Sequence, residues 1–187
     1  GWYSFFNPFL KRRIRAFLRQ EASKVHSIRD FQELVAPQLG KILSSTTETF
    51  TVSGLEQLDP KQSYLFLSNH RDIVMDPTFV NWALYNGGFD TVRIAIGDNL
   101  VKKPFIGDLM RINKSFIVRR SISGPREMLQ TYSALSAYIR QSIEESHSIW
   151  IAHREGRAKD GIDRTDPAIL KMLAMVGKSR AEFFQEA

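Results

Sequence analysis

The chain has 187 residues, 43% of them hydrophobic and 25% charged, enough for one domain with its own core and ordinary for a folded globular protein. Its 26 basic against 20 acidic residues give a net charge of +6, which favours an anionic partner: phosphate, a phospholipid surface or nucleic acid. There is no cysteine, which excludes thiol nucleophiles and thiolate metal sites, and no apolar stretch approaches the roughly 20 residues needed to span a bilayer.

Residues 1–45 form a first region, and the pattern predicts an amphipathic helical segment over 1–43. Leu10, Ile14, Phe17 and Leu18 share one helical face, and Lys11, Arg12, Arg13, Arg15 and Arg19 fill the rest. Trp2, Tyr3, Phe5, Phe6 and Phe9 precede this block. An aromatic end followed by a basic helix suits the surface of an anionic membrane, and it equally suits packing of the apolar face with the charges solvated. The chain opens on Gly rather than Met and stops soon after a helical segment, so a piece of a longer protein is the expectation.

From residue 46 to 187 strands alternate with helices. Thr47–Val52 and Tyr64–Ser68 read as the first two strands, the second a buried one. Asp76-Pro77 predicts a helix start, with an end at Gly87-Gly88, and Val92–Ile96 is the next strand. A short helix over Lys103–Met110 leads to a fourth strand at Ser115–Val118. Pro125 to about Glu145 is a long helix with Met128, Tyr132, Leu135, Ile139 and Ile143 on one face. Ser148–Ala152 is a fifth strand and Pro167–Met175 a final helix. The fold expected is therefore α/β, a largely parallel mixed sheet flanked by helices and preceded by the amphipathic segment.

Ligands of α/β sheets gather at the carboxyl ends of strands, and three of the predicted strands end in polar, reactive residues. The first such end is Asn69-His70-Arg71-Asp72, the second Arg119-Arg120, and the third His153-Arg154-Glu155-Gly156-Arg157. His70 lies six residues before Asp76, and an imidazole beside a carboxylate is what a general base needs, because the carboxylate fixes the tautomer and stabilises the imidazolium. Asp72 is an alternative partner for the ring, and Asp76 before Pro77 also reads as a plain helix cap. Arginines at such an edge bind phosphate through forked, charge-assisted hydrogen bonds. Adjacent strand residues point to opposite faces, so Arg119 and Arg120 are not both expected to reach the crevice.

These three blocks, in this order, resemble the glycerolipid acyltransferase family. That family carries Asn-His-x-x-x-x-Asp, then Gly-x-x-Phe-Ile-x-Arg, then Glu-Gly-x-Arg. The matching residues are Asn69, His70 and Asp76, then Phe116, Ile117 and Arg119, then Glu155, Gly156 and Arg157. This chain has five residues rather than four between His70 and Asp76, Asn113 in place of the first glycine, and Arg157 one residue early. A fourth, proline-containing block of the family has no match before Ala187. The resemblance implies transfer of a fatty acyl group from an acyl-CoA or acyl carrier protein thioester to a hydroxyl of a glycerol phosphate or lysophospholipid. His70 would then be the base, oriented by Asp76, while Arg119, Arg157 and Arg120 would hold the acceptor's phosphate. Glu155 would fix an arginine or an acceptor hydroxyl. The thioester is a co-substrate, so no separate cofactor and no metal are implied. The partners implied are a membrane surface with its lipid substrate and an acyl carrier protein, without nucleic acid. The location implied is peripheral or monotopic on the cytoplasmic face of a membrane. Oligomeric state is not readable.

The plainer readings are a hydrogen-bonded structural His70, a solvated strand end at Arg119-Arg120, and a solvated loop histidine at His153. His26, His147, Lys159 and Arg164 read as surface residues, and Phe183-Phe184 as packing residues. There is no Gly-x-x-x-x-Gly-Lys loop and no Gly-x-Gly-x-x-Gly after a strand. The rival function is a non-enzymatic basic domain holding anionic lipid or nucleic acid, which would need the same charges but no histidine–carboxylate pair.

Overall fold

The computed structural model describes residues 23–101, 104–120, 122–153, 158, 160–162 and 164–176, with positions 16 and 20 in addition. The aromatic end and basic face of the first region, and Phe183-Phe184, lie outside the described residues. The chain divides into two compact units, residues 1–50 and 51–187.

In the first unit α1 spans Ile28–Thr46. Ser27 starts it with a capping box: its hydroxyl accepts the Asp30 N–H at 3.1 Å, and Asp30 Oδ2 accepts the Ser27 N–H at 2.9 Å. Two of the orphan donors of the helix start are thereby satisfied. Those bonds also hold the Asp30 carboxyl below its ordinary range, the His26 N–H contributing most.

The second unit is built on four strands: β1 (Leu65–Ser68), β2 (Arg93–Gly97), β3 (Ser115–Val118) and β4 (Ile149–Ala152). Between and after them lie α2 (Met75–Asn86), α3 (Pro104–Ile112), α4 (Pro125–Glu144) and α5 (Pro167–Leu173). The strand order is β1-β4-β2-β3 and every pairing is parallel. The α/β fold expected from the alternation is the fold found, with an all-parallel rather than mixed sheet among the described residues. A helix stands in each connection between successive strands, and such crossovers give parallel neighbours.

Thr47–Val52 is a correction: this Thr-rich run is not a strand. Sheet propensity is expressed only where a neighbouring ladder is available, and both edges of the sheet, β1 and β3, run without it. The other elements of the second unit agree with their expected positions to within about two residues, whereas the helix expected over 1–43 is interrupted at 23–27 and its described part, α1, runs on to Thr46. At the end of α2 the Gly87 N–H reaches Ala83 O at 3.0 Å, and Gly88 takes φ 81°, a left-handed turn that a side chain disfavours.

The alternation of β4 splits the core. Ile149 and Ile151 point to one face, where they pack with Ile139 of α4 and with Met172 and Leu173 of α5. Trp150 points to the other, with Val92, Ile94 and Ile96 around β2 and Leu84 of α2. Each such side chain, fully buried, contributes about 1.5–3 kcal/mol. Ser136 joins two elements of the first face: its hydroxyl donates to Leu173 O at 2.9 Å and accepts the Val176 N–H at 3.2 Å. The carbonyl end of α5 is tied to α4 in this way.

Candidate active site

The carboxyl end of β1 runs into a tight turn around one carboxylate. His70 Nδ1 lies 2.9 Å from Asp76 Oδ2. The same oxygen accepts the Arg71 N–H at 2.6 Å and the Asp72 N–H at 3.0 Å. Three donors on one oxygen hold the carboxylate and ring in one geometry, at 13% and 20% side-chain exposure for His70 and Asp76. This network assigns the proton to Nδ1, which leaves the Nε2 lone pair without a partner among the described residues. Edge-on contact with Trp150, centroids 5.9 Å apart at 72°, supports the ring from below. The Trp150 indole N–H in turn donates to Ser68 Oγ at 2.9 Å.

Asp72 does a different job. Its Oδ1 accepts the Val74 and Met75 N–H groups at 2.8 and 2.7 Å, so Asp72, and not Asp76, receives the first N–H groups at the start of α2, two residues before the N-cap position Val74. The reading of Asp76 as a plain cap is therefore corrected: the chain turns between them, so Asp72 faces the helix end and Asp76 faces back to the ring. Asn69 is exposed, its carbonyl accepting the Ser68 hydroxyl at 3.0 Å.

At the opposite edge β3 ends in Arg119 and Arg120, both exposed. Both line one cavity of ≈ 150 Å³, which also touches Gly97, Ile151, Tyr132 of α4 and Met172 of α5. Both reach this cavity because β3 stops at Val118 and the pleat's alternation stops with it, but it is not the crevice of His70 that only one of them was expected to reach. Among the described residues neither guanidinium makes a hydrogen bond or ion pair. Arg119 also borders an open groove of ≈ 570 Å³ between β3 and α4, with Phe116, Ile117, Glu127 and Tyr138. In that groove the Ser123 backbone and hydroxyl donate to Glu127 at 3.0 and 2.9 Å. These bonds, with a smaller contribution from Arg119, hold the Glu127 carboxyl below its ordinary range.

His70 and Asp76 do not line the Arg119–Arg120 cavity. The ring rests on Trp150, whereas the cavity is bounded by the next residue, Ile151, so the two features approach the carboxyl edge from opposite faces of β4. Glu155, Gly156 and Arg157 of the third block, with Lys159, lie outside the described residues.

His153 corrects another expectation, since it is 6% exposed rather than solvated. It prolongs the ladder, its N–H donating to Ser68 O at 2.9 Å, and so follows Ile149 and Ile151 onto the face covered by the α5 approach. Its Nδ1 lies 3.3 Å from Thr165 Oγ1, and its buried Nε2 has no partner among the described residues. His26 and His147 are exposed as expected. His147 is held below the ordinary imidazole range, first by partial burial and then by the charges of Arg93 and Lys114. Sequence reasoning missed two residues of this edge: Asp72 as the acceptor at the start of α2, signalled only by its place shortly before the helix, and Gly97, signalled by a glycine at the end of an apolar strand. Among the described residues no group of three or more His, Asp or Glu is placed to hold a metal.

Known proteins match the same stretch. The family model described as Acyltransferase matches residues 49–175. A glycerol-3-phosphate acyltransferase from Xanthomonas axonopodis pv. citri is 33% identical over 108 residues, 57% of this chain and 12% of its own length. One from Xylella fastidiosa strain M23 is 29% identical over 110 residues, 59% of this chain and 12% of its own. The chain thus matches only about an eighth of the length of these curated relatives. Chloroplast FtsY from Physcomitrella patens superposes with a TM-score of 0.34 at 16% identity, over 97% of this chain and 56% of its own, a likeness too slight to carry an argument. With the family model covering more than half of its residues, this chain belongs to the acyltransferase family.

Proposed function

We propose that the chain transfers a fatty acyl group from a thioester, acyl-CoA or acyl carrier protein, to a hydroxyl of a phosphate-bearing glycerol or lysophospholipid. The observation that carries this reading is the His70–Asp76 contact at 2.9 Å, with the carboxylate braced by two backbone N–H groups. The relatives' name, glycerol-3-phosphate acyltransferase, supports the glycerol phosphate acceptor.

His70 Nε2 takes the proton of the acceptor hydroxyl as its oxygen attacks the thioester carbonyl carbon. Asp76 stabilises the imidazolium that forms. When the tetrahedral intermediate collapses, the C–S bond breaks and the departing thiolate takes the proton back from Nε2. The acceptor hydroxyl occupies the chemical place that serine has in a hydrolase triad, so no protein nucleophile is required. Arg119 and Arg120, without partners among the described residues, hold the phosphate. The membrane contact expected of the basic N-terminal segment belongs to the same proposal, as does a peripheral position on the cytoplasmic face. Among the described residues no helix is long and apolar enough to cross a membrane. A binding module would use the arginines equally well, but it has no need of a braced histidine.

The test is acylation of glycerol 3-phosphate from a long-chain acyl thioester on anionic vesicles. His70→Ala is expected to lower kcat by about 10²–10⁴-fold while its circular dichroism spectrum stays that of the wild type. Equal rates in the two proteins would sink the mechanism.

A further inference from the structure

Gly97 ends β2 at φ −71° and ψ 144°, extended backbone that any residue adopts, so its missing side chain has another cause. A Cβ placed there would lie 2.5 Å from Arg120 Nε, 2.8 Å from Arg120 Cζ and 2.5 Å from Asn99 Oδ1. The Arg120 side chain therefore leans from the end of β3 across bare backbone at the end of β2. Its own N–H is tied to Asp98 Oδ2 at 3.3 Å, which fixes where the side chain starts, while the guanidinium has no partner among the described residues.

The strand order gives this lean a direction. In a sheet ordered β1-β4-β2-β3, the end of β3 is three spacings from the end of β1 that carries His70, about 14 Å at ~4.8 Å each. The end of β2 is one spacing nearer, about 10 Å away. By lying over Gly97, the guanidinium of Arg120 sits about one strand spacing nearer to β1 than its own backbone, within the cavity on the Ile151 side of β4 and not on the Trp150 side that carries His70.

We propose that Gly97 is a specificity-determining position: its bare backbone leaves the Arg120 guanidinium room over the end of β2 in the cavity it lines, and so sets how tightly that cavity holds a phosphate-bearing acceptor. The inference rests on the phosphate-bearing acceptor proposed above. Gly97 acts only through Arg120 and is a positioning residue. A methyl at 97 displaces the flexible guanidinium from the cavity back toward Arg119, while the backbone at 97, His70 and Asp76 keep their places.

The experiment titrates glycerol 3-phosphate calorimetrically into the full chain as wild type, Gly97→Ala, Arg120→Gln and the double variant, with circular dichroism confirming each fold. Gly97→Ala and Arg120→Gln are each expected to weaken binding by about tenfold or more, the scale of one hydrogen-bonded charge. The double variant is expected to bind no more weakly than Arg120→Gln alone. In acyl transfer, Gly97→Ala is expected to raise the acceptor KM with kcat and thioester KM unchanged. Absence of wild-type binding overturns the inference, as does a folded Gly97→Ala that binds like wild type, or additive losses in the double variant. Should Gly97→Ala fail to fold, wild-type binding by Arg120→Gln overturns it, and weakened binding supports it. A wild type that binds glycerol 3-phosphate without acylating it removes the acyl-transfer reading and leaves this one standing. Acylation with an unchanged acceptor KM in Gly97→Ala does the reverse.

Discussion

The two edges of the sheet end in opposite ways. After β1 the chain closes on itself: one oxygen of Asp76 takes the His70 ring and two backbone N–H groups, while Asp72 ties down the start of α2. After β3 it leaves two exposed arginines at a cavity mouth, with no partner among the described residues. A group that must move a proton at one fixed atom gains from being held by many bonds. A group that must receive an incoming anion is better left with its donors unsatisfied, because each bond to a protein partner would have to be broken first. On the proposed reading, reaction geometry and acceptor capture would sit on separate structural supports, and mutations should separate them.

The largest effect should come from the first edge. Asp76→Ala leaves three donors without their acceptor, so kcat should fall by at least about 10²-fold and stability by about 1–3 kcal/mol in urea titration. If stability alone changed, Asp76 would be a brace and not a partner in proton transfer. Asp72→Ala should cost about 1 kcal/mol through the lost bonds at the start of α2 and leave kcat near the wild-type value. A kcat loss as deep as that of Asp76→Ala would erase the division of labour between the two aspartates. The smallest effect on the fold should come from the second edge. Arg119→Ala should shift stability by no more than about 0.5 kcal/mol while raising the acceptor KM and flattening its dependence on ionic strength. An unfolded Arg119→Ala would show that this edge is built into the fold after all.

Much of the frame was legible because its signals are local. Apolar runs bounded by turn residues marked β1 to β4, and Gly87-Gly88 marked the end of α2. His70 and Asp76 stood out through chemistry and spacing. What escaped depends on distant neighbours. Thr47–Val52 has strand composition but no ladder to join. His153 looks like a loop residue until β4 is seen to continue past Ala152, with its N–H on Ser68 O. The division between Asp72 and Asp76 hinges on the path of a turn between them. Gly97 could be read as a turn glycine, since its φ of −71° and the guanidinium above it appear only in three dimensions.

The place of β4 has a consequence for how the molecule is made. It is the last described strand in the chain, yet it lies between β1 and β2 and bonds to both. Until it inserts, β1 has no sheet neighbour, and the edge bearing His70 is unconnected to the edge bearing the arginines. Non-local parallel pairing of this kind forms slowly, because a long loop must close before any contact offsets its entropy. During synthesis the apolar flanks of β1 and β2 therefore wait, unpaired and prone to aggregation, for residues 149–152. Refolding rate and soluble yield should accordingly respond most to substitutions in Ile149–Ala152, a strand that carries none of the reacting groups proposed above.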